Sequence, residues 1–301
     1  MTVTRMHQDE VVTDADLVRR LIAGQFPQWA HLPVERVQSA GTDNAIYRLG
    51  DELAVRMPRR PGAVAQVEKD ARWLPLLAPR LPLAIPVPVA TGRAAEGYPW
   101  RWTVCPWLHG TNATLDRIAE PRELMADLAA FINALRAIDT TDGPLAGAHN
   151  FYRGVPLRLR DSYVRRALAT LDGTIDVAAA TAAWETALRA PDWRHEPVWL
   201  HGDLAPGNLV ARDGRLAGVI DFGCLGVGEP ACELIVAWNL LPAALRDDFR
   251  EAIGADDATW ARGRGWALAQ ALIALPYYRD TNPTIVAASK ALIRELLADM
   301  S

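Results

Sequence analysis

Two aspartates and an asparagine fall within one short stretch: Asp203, Asn208 and Asp221, in V-W-L-H-G-D-L-A-P-G-N-L-V-A-R-D-G-R-L-A-G-V-I-D-F-G from Val198 to Gly223. A carboxylate and an amide oxygen suit Mg²⁺, a hard ion that prefers oxygen ligands and keeps several waters. A second carboxylate one loop position away is then free to accept a proton from a hydroxyl. The elements that must bring these groups together are short. Val198 begins an apolar strand, and a polar loop holds Asp203 and Asn208. Leu209–Arg212 and Leu216–Ile220 read as two more strands, and Asp213-Gly214 between alternating runs is a strong hairpin signal. The hairpin is expected to return Asp221 to the neighbourhood of Asn208.

Phosphoryl transfer demands this kind of set, because the protein's task is to position the reactants and to stabilise charge. Asp203 and Asn208 stand in the D-x-x-x-x-N spacing of a kinase catalytic loop, with His201 before them, and Asp221-Phe222-Gly223 is a literal D-F-G. His201 is expected to brace the loop. A cation for the phosphates is expected from Ala54-Val55-Arg56, placed where kinases carry V-A-I-K, with Glu68 in the following helix as its carboxylate partner. Arginine keeps the charge and can pair bidentately, but it is not equivalent to lysine. The turn Gly41-Thr42-Asp43-Asn44 lies where backbone N–H groups can cover a triphosphate, although it lacks the full G-x-G-x-x-G.

The surrounding pattern predicts two parts. Thr13 to Trp29 carries Leu17, Val18, Leu21 and Ile22 at helical spacing. Three short strands joined by tight turns follow from Val34, then a helix over Ala63–Leu77. Two extended pieces come next, Ala84–Ala90 and Trp100–Leu108. Beyond His109-Gly110 the pattern turns helical: Pro121 opens one helix, Val155–Leu171 and Ile175–Arg189 read as two more, and four follow the hairpin between Glu229 and Asp299. The predicted class is α+β: residues 1–106 form an antiparallel-sheet lobe with one long helix, and 107–301 a larger, mainly helical lobe.

Composition excludes several alternatives. The 301-residue chain is half hydrophobic with a net charge of −4, so it carries no electrostatic footprint for nucleic acid. Its three cysteines, Cys105, Cys224 and Cys232, are too scattered for a disulfide framework or a zinc site. No apolar run reaches bilayer length and the N-terminus lacks a secretion signal, so a cytoplasmic protein without membrane partners is expected. Gly226 to Ala231 matches G-x-G-x-x-A formally, without the βαβ context of a dinucleotide site. A binuclear metallophosphoesterase needs several histidines, and none follows His201.

From Ser39 to about Asn282 the chain resembles the aminoglycoside phosphotransferase family, small-molecule kinases with a protein-kinase-like two-lobed fold. The likeness is most specific at H-G-D-L-A-P-G-N and V-I-D-F-G. It implies Asp203 as catalytic base, Asn208 and Asp221 as Mg²⁺ ligands, and Arg56 with Glu68 as the phosphate-binding ion pair. It also implies a hinge at V-C-P-W-L-H-G. There Cys105 lies near the nucleotide, and the Pro106 carbonyl and Leu108 N–H meet the purine edge. The sequence departs from the family pattern at Arg56, usually lysine, and at Gly228-Glu229-Pro230-Ala231-Cys232-Glu233, where the family often reads G-D-P-A-x-D. The strings V-R-M-P-R-R, V-E-K-D-A-R and R-L-P-L-A-I-P-V-P-V are similar to the macrolide-kinase branch. The implied activity is transfer of the γ-phosphate of ATP or GTP to a hydroxyl of a small molecule. An aminoglycoside-type antibiotic is the first expectation; a macrolide, another small metabolite, or a catalytically silent nucleotide-binding module are the alternatives. An acidic acceptor pocket would draw on Glu229, Glu233, Asp257 and Asp280.

Overall fold

The computed structural model describes residues 10–38 and 43–299. Two compact units make up the chain: residues 1–109 with 218–223, and 110–217 with 224–301. The first boundary lies near the expected 106/107. The return of 218–223 to the first unit was not foreseen.

In the first unit, α1 (Ala15–Gln25) starts where Asp14 accepts a hydrogen bond from the Leu17 N–H at 2.7 Å. Strands β1 (Val34–Arg36), β2 (Asn44–Leu49) and β3 (Leu53–Pro58) form a meander, followed by helix α2 (Val64–Leu77) and strands β4 (Ala90–Gly92) and β5 (Trp102–Pro106). The sheet order is β1-β2-β3-β5-β4, with every pairing antiparallel. Tyr47, Leu49, Val55, Met57, Trp102 and Val104 pack against Val18, Leu21 and Ile22 of α1 to make the core. The extended piece from Ala84 pairs only at its ends, at Ala84 and in β4. Prolines at 86 and 88 have no N–H to offer a ladder. Ala84 bridges Gly218 in parallel, and its carbonyl accepts the Val219 N–H at 2.9 Å, which draws the segment ending in Asp221 onto this unit.

The second unit begins with β6 (Thr111–Asn112) and α3 (Pro121–Arg136), then α4 (Asp161–Leu168), α5 (Val177–Leu188) and β7 (Val198–Leu200). The hairpin is present as β8 (Leu209–Arg212) and β9 (Arg215–Val219), with positive φ at both Asp213 (53°) and Gly214 (79°), as a two-residue hairpin turn requires. The division between units falls within β9. Strand β10 (Gly226–Gly228) pairs antiparallel with β7, while β6, β8 and β9 form a three-stranded sheet. Four helices follow: α6 (Val236–Asn239), α7 (Arg246–Ala252), α8 (Asp257–Tyr277) and α9 (Pro283–Ala298). Helix α8 is largely buried between its exposed ends, Asp257 and Tyr277, and α5, α9 and a 3₁₀ turn at Pro230–Ile235 pack around it. That turn and α6 replace the single helix expected from Glu229. The helix expected from Val155 is likewise shortened to α4, preceded by a 3₁₀ turn at Leu157–Arg160.

Candidate active site

In the first unit, Arg56 projects from β3 between buried Val55 and Met57. Its Nη1 donates to Asp70 Oδ2 at 3.0 Å, and its Nη2 lies 3.4 Å from Asp221 Oδ1. The expected partner, Glu68, is not there. Its side chain is 69% exposed and pairs with Arg101, whereas that of Asp70 is only 4% exposed. The physical reason is helical phase. Residues two apart lie about 200° around a helix, so Glu68 and Asp70 cannot share a face. Asp70 occupies the apolar stripe of Val67, Leu74 and Leu77, and a charge on such a stripe was the available signal. Burial pushes the Asp70 carboxyl up to about 6, against the pull of Arg56.

Helix α2 also holds the D-F-G turn. Lys69 Nζ donates to the Gly223 carbonyl at 2.7 Å. The Gln66 amide is best satisfied with its oxygen toward the Gly223 N–H (3.1 Å) and Arg56 Nη2 (3.0 Å). Asp221 has φ of 63°, a left-handed conformation that is unusual outside glycine. Its carboxylate is half-exposed while its backbone is fastened on the glycine side.

Of the expected triphosphate-covering turn, Gly41 and Thr42 lie outside the described residues. Asp43 pairs with Arg60 at 2.6 Å, and its carbonyl accepts the Arg59 N–H. Asn44 opens β2 opposite Pro58. Along the expected hinge, Cys105 is buried with its Sγ near the Ala54 carbonyl, and burial pushes its thiol up to about 11. Pro106 is in register with Leu53, and the Trp107 N–H bonds to the Glu52 carbonyl. Among the described residues no acceptor is bonded to the Leu108 N–H.

In the second unit, the loop after β7 is braced from below. Glu233, fully buried, accepts the N–H groups of His201 (3.0 Å) and Gly202 (2.6 Å). Burial raises its pKa, while His201 and those two N–H groups pull the other way. His201 Nδ1 in turn accepts the Asp203 N–H at 3.2 Å, the bracing role expected of it. Gly202 has φ of 81°, and a Cβ there would meet the Cys224 carbonyl at 2.7 Å. Asn239 fastens the Leu204 carbonyl at 3.2 Å. On this support Asp203 presents a carboxylate that is 39% exposed, with Arg153 Nη2 3.8 Å away. Asn208 Nδ2 donates to the Asp203 carbonyl (2.9 Å) and carboxylate (3.2 Å). Its amide oxygen is thereby left for another partner.

The structure therefore brings Asp203 and Asn208 together in one unit, and Arg56 and Asp221 together in the other. Asp70, Gln66, Lys69 and Arg153 escaped the sequence reading, and Glu233, expected among acids of an acceptor pocket, instead holds the loop backbone. The signal for its structural role was an acid amid a run of apolar residues from Pro230 to Val236.

Solved structures share this fold. The GDP complex of aminoglycoside 2'-phosphotransferase-IIIa superposes with a TM-score of 0.76 and 18% identity, covering 96% of this chain and 100% of that one. A macrolide 2'-phosphotransferase from Brachybacterium faecium gives 0.61 and 22%, covering 93% and 97%. The class defined by these likenesses is the protein-kinase-like fold. Among curated proteins, an aminoglycoside 3'-phosphotransferase from Escherichia coli is 28% identical over 143 residues, 46% of this chain. The aligned region spans about half of that relative (52%). The phosphotransferase enzyme family (APH) matches residues 35–266, and the chain belongs to that family.

Proposed function

We propose that this protein transfers the γ-phosphoryl group of ATP or GTP to a hydroxyl of a small molecule. The observation that carries this reading is Asp203, a half-exposed carboxylate on a loop whose backbone is fastened by Glu233, His201 and Asn208. A base must be rigidly placed and open to its substrate, and this one is both. Asp203 accepts the hydroxyl proton as the hydroxyl oxygen attacks the γ-phosphorus, and the nucleoside diphosphate leaves. Asn208 holds Asp203 by its amide nitrogen, and its oxygen is the atom offered to a cation. That amide oxygen in the second unit and the Asp221 carboxylate in the first are both hard oxygen donors of the kind Mg²⁺ prefers, and they are the residues that would hold it. Held there, Mg²⁺ would supply charge neutralisation for the transferring phosphates. Arg56 steadies the phosphates, itself held by Asp70. The Leu108 N–H and Pro106 carbonyl receive the purine edge.

Aminoglycosides and macrolides, the molecules in the relatives' names, are the first acceptors to test. The assay is acceptor-dependent release of ADP or GDP with Mg²⁺, together with mass detection of the phosphorylated product. Asp203→Asn is expected to lower kcat by at least 10³-fold, roughly the upper range for a general base, and to leave nucleotide Kd within about twofold. Parallel loss of both would reject the assignment. Nucleotide-induced stabilisation with no product from any acceptor would favour a silent binding module.

A further inference from the structure

In the second unit, Arg153 and Arg160 have between them a single carboxylate partner among the described residues. Arg153 faces the Asp203 carboxylate at 3.8 Å, its only carboxylate partner among the described residues. Arg160 is only 8% exposed, yet no carboxylate within the described residues pairs with it, and its buried Nε has no hydrogen-bond acceptor. Its guanidinium lies instead against the rings of Tyr163 (4.8 Å to the centroid) and Trp266 (6.0 Å). Arg166 also lies over the Tyr163 ring, 4.8 Å from its centroid. The nearest acid in the chain, Asp161, is engaged by Arg165 and by the Trp184 indole N–H. The groups whose charge reaches Arg160 are Arg153, Tyr163 and Tyr152, and Arg153 together with burial lowers its pKa.

Buried cations are normally paired, because leaving a charge unpaired away from water is costly. A buried arginine without a counter-anion, within reach of the charge of Arg153, which itself faces the open Asp203 carboxylate, marks a place where an anion arrives from outside. Arginine's planar fork suits carboxylate or phosphate. The acids that would line a pocket for a polycation are otherwise engaged. Glu229 is buried against Arg262, Glu233 holds the loop, and Asp257 pairs with Arg250; only exposed Asp280 has no such tie.

We propose that Arg160, with Arg153 and the ring of Tyr163, binds an anionic group of the acceptor, so that the preferred substrate is a hydroxylated small molecule bearing a phosphate or a carboxylate. This rests on the phosphotransfer reading for what happens next to Asp203, but the anion site itself does not.

The test uses the full chain and matched acceptors: hexoses against hexose phosphates, aldoses against aldonic acids, and kanamycin as a polycation. Calorimetric binding is measured with and without nucleotide, alongside product formation. Anionic members are expected to bind at least tenfold more tightly than their neutral partners. Arg160→Gln should remove that preference with no fall in Tm, and Arg160→Lys should retain part of it. The phosphate and carboxylate pairs tell which anion is recognised. Preference for neutral or cationic acceptors overturns the proposal. So does an unchanged preference in Arg160→Gln, or a loss of nucleotide affinity in place of acceptor affinity, which would mean that Arg160 serves the donor's phosphates. Arg160-dependent anion binding without any product would uphold the anion site and refute the kinase reading. Phosphorylation of kanamycin with no Arg160-dependent anion binding would do the reverse.

Discussion

Arg56 has two acids within reach in the first unit, and neither is the one nearest to a kinase-like spacing. The pair it makes with Asp70 is almost wholly buried, so removing one partner strands a charge away from water. Asp70→Ala is expected to destabilise the protein by about 3 kcal/mol, the lower end of the range because Asp221 still faces Arg56. Glu68→Ala, at an exposed pair, should change stability by less than about 1 kcal/mol. Urea unfolding of the two variants compares the two effects directly. Asp70 also predicts a pH dependence. Its folded value of about 6 lies above the ordinary 3.8, so the folded state holds the proton more tightly than the unfolded chain does. That contribution is complete below the unfolded value and is lost as pH rises through the folded one. Stability should therefore fall between pH 4 and 6 relative to Asp70→Asn, by roughly 1.4 kcal/mol for each unit separating the two values. An identical slope in the two proteins would contradict the burial that the structure shows.

At the scale of the element, the loop after β7 and the helix α2 do similar work by similar means: each fastens backbone so that a carboxylate stays open. Glu233 satisfies two buried N–H groups at once. Replacing it by alanine leaves both without an acceptor, at about 1–3 kcal/mol each. Glu233→Gln retains one acceptor oxygen and should lose less. Both variants should lower kcat more than they raise the KM for nucleotide, because what loosens is the placement of Asp203. Gly202→Ala adds a side chain to a left-handed residue and drives it into the Cys224 carbonyl. It should cost at least 1–2 kcal/mol and reduce kcat. Steady-state kinetics beside thermal melts would separate loop displacement from general loss of fold. If kcat is unchanged while Tm falls, Glu233 is only a structural brace.

For the whole molecule, the cysteines give a simple check. All three are buried, and burial raises the thiol pKa of Cys105 and Cys232. Native protein should react with a thiol reagent at well under one thiol per chain, and denatured protein at all three. Among the described residues no helix is long and apolar enough to cross a membrane. Much of the fold was legible in the chain itself. The 3.6-residue period of α1, α2 and α3, Pro121 at a first turn, and Asp213-Gly214 between two strands are local signals, and local signals survive without knowledge of the rest. The Asp203, Asn208 and Asp221 spacing was legible for the same reason, since loop and turn chemistry repeats over a few residues. What the chain could not disclose were the partners of its buried charges. Arg56 chose Asp70 over Glu68, Glu233 became the anchor of loop N–H groups 31 and 32 residues upstream, and Arg160 was left without an anion. Each of these outcomes depends on helical phase combined with packing against a distant segment. A side chain's charge is written in its own residue, but whether water or a counter-ion answers that charge is settled only when the surrounding elements close over it.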